Sequence, residues 1–244
     1  MPEIKKTHSL RVDPGMSIRM LADYMTASEQ AKRTLLTRAK YVPIAPTIQH
    51  DAARESITTH LSSGAGATDD IKQRIEILKS GLQGSQFEID KAENNADYLE
   101  RYLETLPPIP AKAHEVLIGN RMPPLHVEGF AIRCAPDLVF KRVNQRNVAK
   151  MGMGFLRYSK GKALPPETAC WQGAIAVGYL TTKLQQGLAE IDPDRDLTAV
   201  IDVWAGQCYT APSNSVYRFK EVKAACAGIA QRWKQIPPPP NAVF

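Results

Sequence analysis

The sequence predicts an α/β (α+β) fold, a mixed sheet flanked by helices, preceded by an all-helical N-terminal region. Three observations predict it. Apolar residues recur at helical spacing as far as Leu106, PPIP (Pro107 to Pro110) marks a boundary, and short β-rich runs then alternate with two long helical stretches. A chain of 244 residues is long enough for one such core domain with a helical appendage.

The first segment, residues 1–61, reads as three helices. Ser17 follows Pro14-Gly15 and starts SIRMLADYM, with Ile18, Leu21 and Met25 on one face. Thr26-Ala27-Ser28-Glu29 has capping-box spacing and opens SEQAKRTLLTRAKY, which Pro43 and Pro46 end. HDAARESITTHL supplies the third, its His50, Asp51, Arg54 and Glu55 reading as a solvated face. Lys32, Arg33, Arg38 and Lys40 also give the first two helices a minor reading as a helix-turn-helix DNA reader. SSGAGAT, from Ser62 to Thr68, is a small-residue linker.

Residues 69–106 read as an acidic helical pair broken at Gly84. In its second helix Ile89, Ala92, Ala96, Leu99, Leu103 and Leu106 form one stripe, with Asp90, Glu93, Asp97, Glu100 and Glu104 beside it. From Asp69 to Glu104 nine acids face five bases, a net of −4 that suits a protein partner.

Residues 124–244 form the α/β part. LHVEGFAIRC, DLVFKR and GFLRYS have strand character, and Pro165-Pro166 starts the helix ETACWQGAIAVGYLTTKLQQGLAE. LTAVIDVWAGQCYTA is strand material broken at Ala205-Gly206, FKEVKAACAGIAQRWKQI is a closing helix, and PPPPNAVF is a tail. Met151 to Phe155, MGMGF, lacks the lysine and spacing of a phosphate loop and leads into a strand.

Several classes are excluded. No apolar run nears the roughly 20 residues of a membrane span, and the first residues lack a secretory h-region, so the expected location is cytoplasmic. Cys134, Cys170, Cys208 and Cys226 lie 36, 38 and 18 residues apart, which suits buried thiols rather than a zinc ribbon or disulfide scaffold. The histidines show no metalloprotease pairing, and no Walker, GxGxxG or GxSxG motif occurs.

Charge points to a phosphate-bearing partner. The net charge is +6, and Lys141, Arg142, Arg146, Lys150, Arg157, Lys160 and Lys162 follow one another with a single acid, Asp137, at the head of the run. Apart from Lys160, these are the candidate nucleic-acid contacts. The other reading is a solvated loop, with a turn at Asn144 to Asn147.

Asp137, Lys160 and Gln172 occur in an order that carries chemistry: proline-aspartate at the start of a strand, lysine closing the next strand, glutamine on the following helix. Phosphodiester hydrolysis needs a carboxylate to hold a divalent cation, and a lysine to orient water or to shield transition-state charge. Each residue alone also has an ordinary reading as a turn acid, a solvated strand end or an exposed helix residue.

Over residues 124 to 235 this order resembles the PD-(D/E)xK nuclease superfamily, nearest its RecB-type, Cas4-type and lambda-exonuclease-type branch. SIRMLADYM, GFLRYSKGKALPPE and IDVWAG also resemble a group of bacterial proteins of no known activity. The nuclease resemblance implies a restriction-endonuclease-like sheet and a DNA-processing, metal-dependent site. Asp137 and Glu167 would hold Mg²⁺ or Mn²⁺, and Lys160 and Gln172 would complete the site. The pattern departs at Tyr158, where the superfamily has its second acid, because a phenol with a reference pKa near 10 cannot serve as a hard anionic ligand. Glu167 is the replacement considered, against a plain role at a helix N-terminus; Glu128 and Glu115 are the other acids. The alternative function is a catalytically inactive nuclease-fold module that binds nucleic acid or a protein partner.

Overall fold

A computed structural model of the chain describes residues 6–44, 50–80, 84–143, 147–187, 192–240 and 242–244. Its elements run in chain order as β1 (His8–Leu10), β2 (Gly15–Ser17), α1 (Ile18–Thr26), α2 (Glu29–Lys40), β3 (Tyr41–Pro43), α3 (Asp51–Ser62), α4 (Asp69–Ser80) and α5 (Gln86–Thr105). There follow β4 (Glu115–Ile118), β5 (Met122–Val127), β6 (Phe130–Cys134), β7 (Leu138–Val143), β8 (Ala149–Arg157) and α6 (Pro166–Gln185). β9 (Asp192–Pro193), β10 (Ala199–Asp202), β11 (Gln207–Thr210) and α7 (Ser215–Arg232) complete the chain.

The result is an α/β fold around an open mixed sheet of order β11-β10-β8-β7-β4, with β9 added beside β8. β7 and β8 form an antiparallel hairpin, whereas β8 and β10 run parallel, joined by the α6 crossover. Register sets Asp202 against Arg157, so two charged residues share the carboxyl end of the parallel pair.

Both faces of this sheet are covered, because its strands alternate. Met153 and Phe155 of β8 enter a core with α1, α2, α6 and α7, while Leu156 and Tyr158 enter a second core with α3, α4 and α5. The expected break between the acidic pair and the α/β part is therefore no gap in packing: Ile71, Leu99 and Tyr102 share a core with Phe140 and Ile201. No helix of the described residues is long and apolar enough to cross a membrane.

The N-terminal region is not all helical. β1 pairs with β3, and β2 joins β6 and β5 in a three-stranded sheet. Two of these three strands are fixed by pairing with each other and the third by pairing with β6, none by a local period. The C-terminal tail also has a place. Thr7 donates its N–H to the Val243 carbonyl at 2.9 Å, and Phe244 lies 5.3 Å from the Tyr41 ring. Lys40, expected on a DNA-reading helix, is buried instead, its ammonium donating to the carbonyls of Trp233 (2.8 Å), Lys234 (3.2 Å) and Ile236 (3.0 Å).

LHVEGFAIRC divides into β5 and β6 at Glu128-Gly129, where both residues have positive φ (49° and 72°), the backbone of a tight hairpin turn. That places Glu128 at an exposed turn rather than in a site.

Candidate functional site

Asp137 sits at the turn into β7, and its position is fixed by backbone. Its N–H donates to the Gly154 carbonyl (2.9 Å), and its own carbonyl accepts from Gly119 N–H (2.8 Å). Gly119 is needed here, since a Cβ would stand 2.2 Å from the Pro136 carbonyl oxygen. The carboxylate turns inward. Oδ1 accepts from Arg54 Nη1 at 3.1 Å, and Oδ2 accepts from the Leu156 N–H at 2.7 Å. Arg54 closes the ring by donating Nη2 to the Leu156 carbonyl at 3.2 Å. Burial raises the Asp137 pKa, opposed by the Arg54 charge and the Leu156 N–H.

Arg54 was expected on a solvated face of α3. Instead it supplies the positive charge beside the candidate metal ligand, and its side chain is only 32% exposed. Tyr158 is stacked on Tyr98 at 4.1 Å between ring centroids and 9° between planes, with His50 edge-on to both. This aromatic stack occupies the position where a second acid belongs in the resembled motif.

The other expected site residues go elsewhere. Lys160 leaves β8, is 65% exposed, and forms an ion pair with Asp97 of α5 that raises its pKa. Asp137 and Lys160 are thus held by different partners, on α3 and α5. Glu167 is held by Arg218 of α7 at 2.6 and 3.2 Å, which lowers its pKa. Gln172 is buried, and its Oε1 accepts from Arg157 Nε at 2.6 Å. Glu115 faces Lys141 across β4 and β7 at 3.7 Å.

These residues do not fit Mg²⁺ or Mn²⁺. A hard divalent cation needs several free oxygens, but both Asp137 oxygens are engaged, Glu167 is tied to another element, and the Arg54 guanidinium repels a second cation. Among the described residues no group of three or more His, Cys, Asp or Glu is arranged to hold a metal.

The basic run is also largely neutralised. Lys141 meets Glu115, Arg142 meets Asp194 and Lys150 meets Asp192. Arg146 lies outside the described residues. Among the described residues of the β7–β8 hairpin, Lys141, Arg142 and Lys150 are therefore all paired with acids.

Arg157 and Lys162 do meet, in a cavity of about 330 Å³ at the carboxyl ends of β8 and β10. Arg157 is buried beneath it. Besides Gln172 it donates to both oxygens of Asp23 (3.1 and 3.3 Å) and to the Arg19 carbonyl (3.2 Å). Asp202, 1% exposed, accepts from the N–H groups of Leu164 (2.7 Å), Trp204 (3.1 Å) and Ala205 (3.4 Å), which shapes the loop around the opening. Arg19 is exposed on α1 and lines the same cavity. Desolvation of its guanidinium, followed by the charges of Arg157 and Arg54, lowers its pKa to about 10, so it stays charged at neutral pH.

Sequence reasoning missed Arg19, Asp23, Arg54 and Asp202. A signal existed for the first two, which stand four apart on one helix and so share a face. Compared with protein-family models and with curated proteins, the chain matches none.

Proposed function

We propose that this chain is a catalytically inactive, nuclease-like module that binds nucleic acid through its sheet edge. The observation that carries the reading is the Arg54–Asp137 pair. A guanidinium stands beside the carboxylate where hydrolysis needs a divalent cation, and both carboxylate oxygens already accept hydrogen bonds. The fold supports the resemblance through the β7–β8 hairpin, the α6 crossover and the parallel β10. The net charge of +6 supports a phosphate-bearing partner.

A protein partner on the acidic helical pair is less well supported. Asp97, Glu100 and Glu104 of α5 already face Lys160, Lys79 and Arg101.

The test uses purified full-length chain with labelled single- and double-stranded DNA and RNA. Binding is read by fluorescence anisotropy across a salt series, and cutting by gel with Mg²⁺ or Mn²⁺. The expected result is binding that weakens with salt and no cleavage. Cleavage abolished by Asp137→Ala would overturn the proposal in favour of a metal-dependent nuclease.

A further inference from the structure

The geometry points to a second property of the same edge: the cavity at the carboxyl ends of β8 and β10 is a metal-free site for one nucleotide unit, its phosphate held between Arg19 and Lys162. The inference deepens the nucleic-acid reading and rests on it for the choice of ligand.

The argument starts from which charges remain unspent. Arg157 is committed to Asp23, Gln172 and the Arg19 carbonyl, and Asp202 to three backbone N–H groups. Among the described residues, the side chains of Arg19 and Lys162 have neither a hydrogen bond nor an ion pair, and both line the cavity. Arg19 also lies within electrostatic reach of the guanidinium groups of Arg157 and Arg54. Like charges so arranged repel one another until an anion stands between them. Asp23, whose oxygens accept from Arg157, offsets only part of this repulsion, its effect on Arg19 being smaller than that of either guanidinium.

Position and size agree with this assignment. In α/β sheets ligands bind in the crevice outside the carboxyl ends of the strands. About 330 Å³ falls at the small end of the range for small-molecule sites, which is more than a phosphate group alone requires. Tyr158, Leu164 and Pro165 supply apolar wall beside the two cations, where a sugar or base can lie. The α6 N-terminus adds little, because Pro165 and Pro166 carry no N–H.

The experiment titrates the full chain in EDTA, by calorimetry, with inorganic phosphate, deoxyadenosine monophosphate, a single-stranded oligonucleotide and a glutamate-rich peptide. We expect the nucleotide and the oligonucleotide to bind without metal. Arg19→Ala and Lys162→Ala should each weaken that binding at least fivefold, with unchanged circular dichroism and Tm, while Lys141→Ala should have no effect. Oligonucleotide binding that ignores both variants overturns the cavity assignment and leaves the nucleic-acid reading standing. Nucleotide binding that depends on Arg19, with no retention of DNA or RNA, supports the cavity as a free-nucleotide site and removes the nucleic-acid reading. A strict need for Mg²⁺, or equal affinity for the peptide, overturns the proposal.

Discussion

Arg54 and Asp137, 83 residues apart in the chain, form a partly buried ion pair of 3.1 Å that also grips the Leu156 backbone from both sides. Removing the cation leaves a carboxylate that is 11% exposed without its neutralising partner. A fully buried pair broken in this way costs about 3–5 kcal/mol; with Arg54 a third exposed, we expect Arg54→Ala to cost about 2–3 kcal/mol at neutral pH. The pH dependence has a definite sign. Asp137 already has a raised folded-state pKa, so the stability linked to its protonated form is complete below the unfolded value and is lost as pH rises through the folded one. Without Arg54 that shift grows. The destabilisation relative to wild type should therefore shrink as pH falls towards 4, measured by urea denaturation of both proteins at each pH. A deficit that stays constant with pH would show that Arg54 acts by packing alone.

Tyr98 offers the opposite case. Its hydroxyl is buried with no hydrogen-bond partner among the described residues, and burial pushes its pKa upward. The ring, by contrast, is fully used in the stack on Tyr158. Tyr98→Phe keeps the stack and removes a desolvated donor, so Tm should hold or rise, by as much as about 1 kcal/mol of stability. A loss of that size instead would reveal a partner for the hydroxyl.

The helices were legible because their signal is local. Apolar spacing marks α1 through α5, and Ser17 and Ser28 accept from Met20 and Ala31 N–H as N-caps should. β7, β8 and the β10–β11 hairpin were legible from β-branched and aromatic runs. β1, β3 and β4 were not, because three or four residues carry no period and their pairing partners lie far away in sequence. The site failed for the same reason. Asp137 stands out in the sequence, but the partners of the two charged residues come from elsewhere: Arg54 of α3 pairs with Asp137, and Asp97, 63 residues before Lys160, pairs with that lysine. Order along the chain cannot encode which helix faces which strand end.

Lys160 and Glu167 are expected to be nearly silent. Each sits in an exposed ion pair, with side chains 65% and 57% open to solvent, where solvent screening leaves a pair little to contribute. Lys160→Ala and Glu167→Gln should each leave the urea midpoint close to that of the wild type. Anisotropy should find nucleic-acid affinity within twofold of wild type. A tenfold loss in either variant would return that residue to the binding or catalytic machinery.

The strand that carries Arg157 depends on two glycines, and their surroundings rank them. A Cβ on Gly152 would stand 2.2 Å from the Leu197 carbonyl carbon, whereas one on Gly154 would meet the Phe140 ring at 2.7 Å and Leu138 Cβ at 3.0 Å. An aromatic side chain can rotate or shift by a few tenths of an ångström; a backbone held by its own hydrogen bonds, from Leu197 N–H to the Asp194 carbonyl and from Thr198 N–H to the Arg195 carbonyl, yields far less. Overpacking a core costs typically about 1–3 kcal/mol, so Gly154→Ala belongs at the lower end and Gly152→Ala at or beyond the upper. Urea denaturation should rank them so, with the Gly152→Ala midpoint the lower of the two. The reverse order would mean that the segment from Leu197 to Thr198 does not rest on β8.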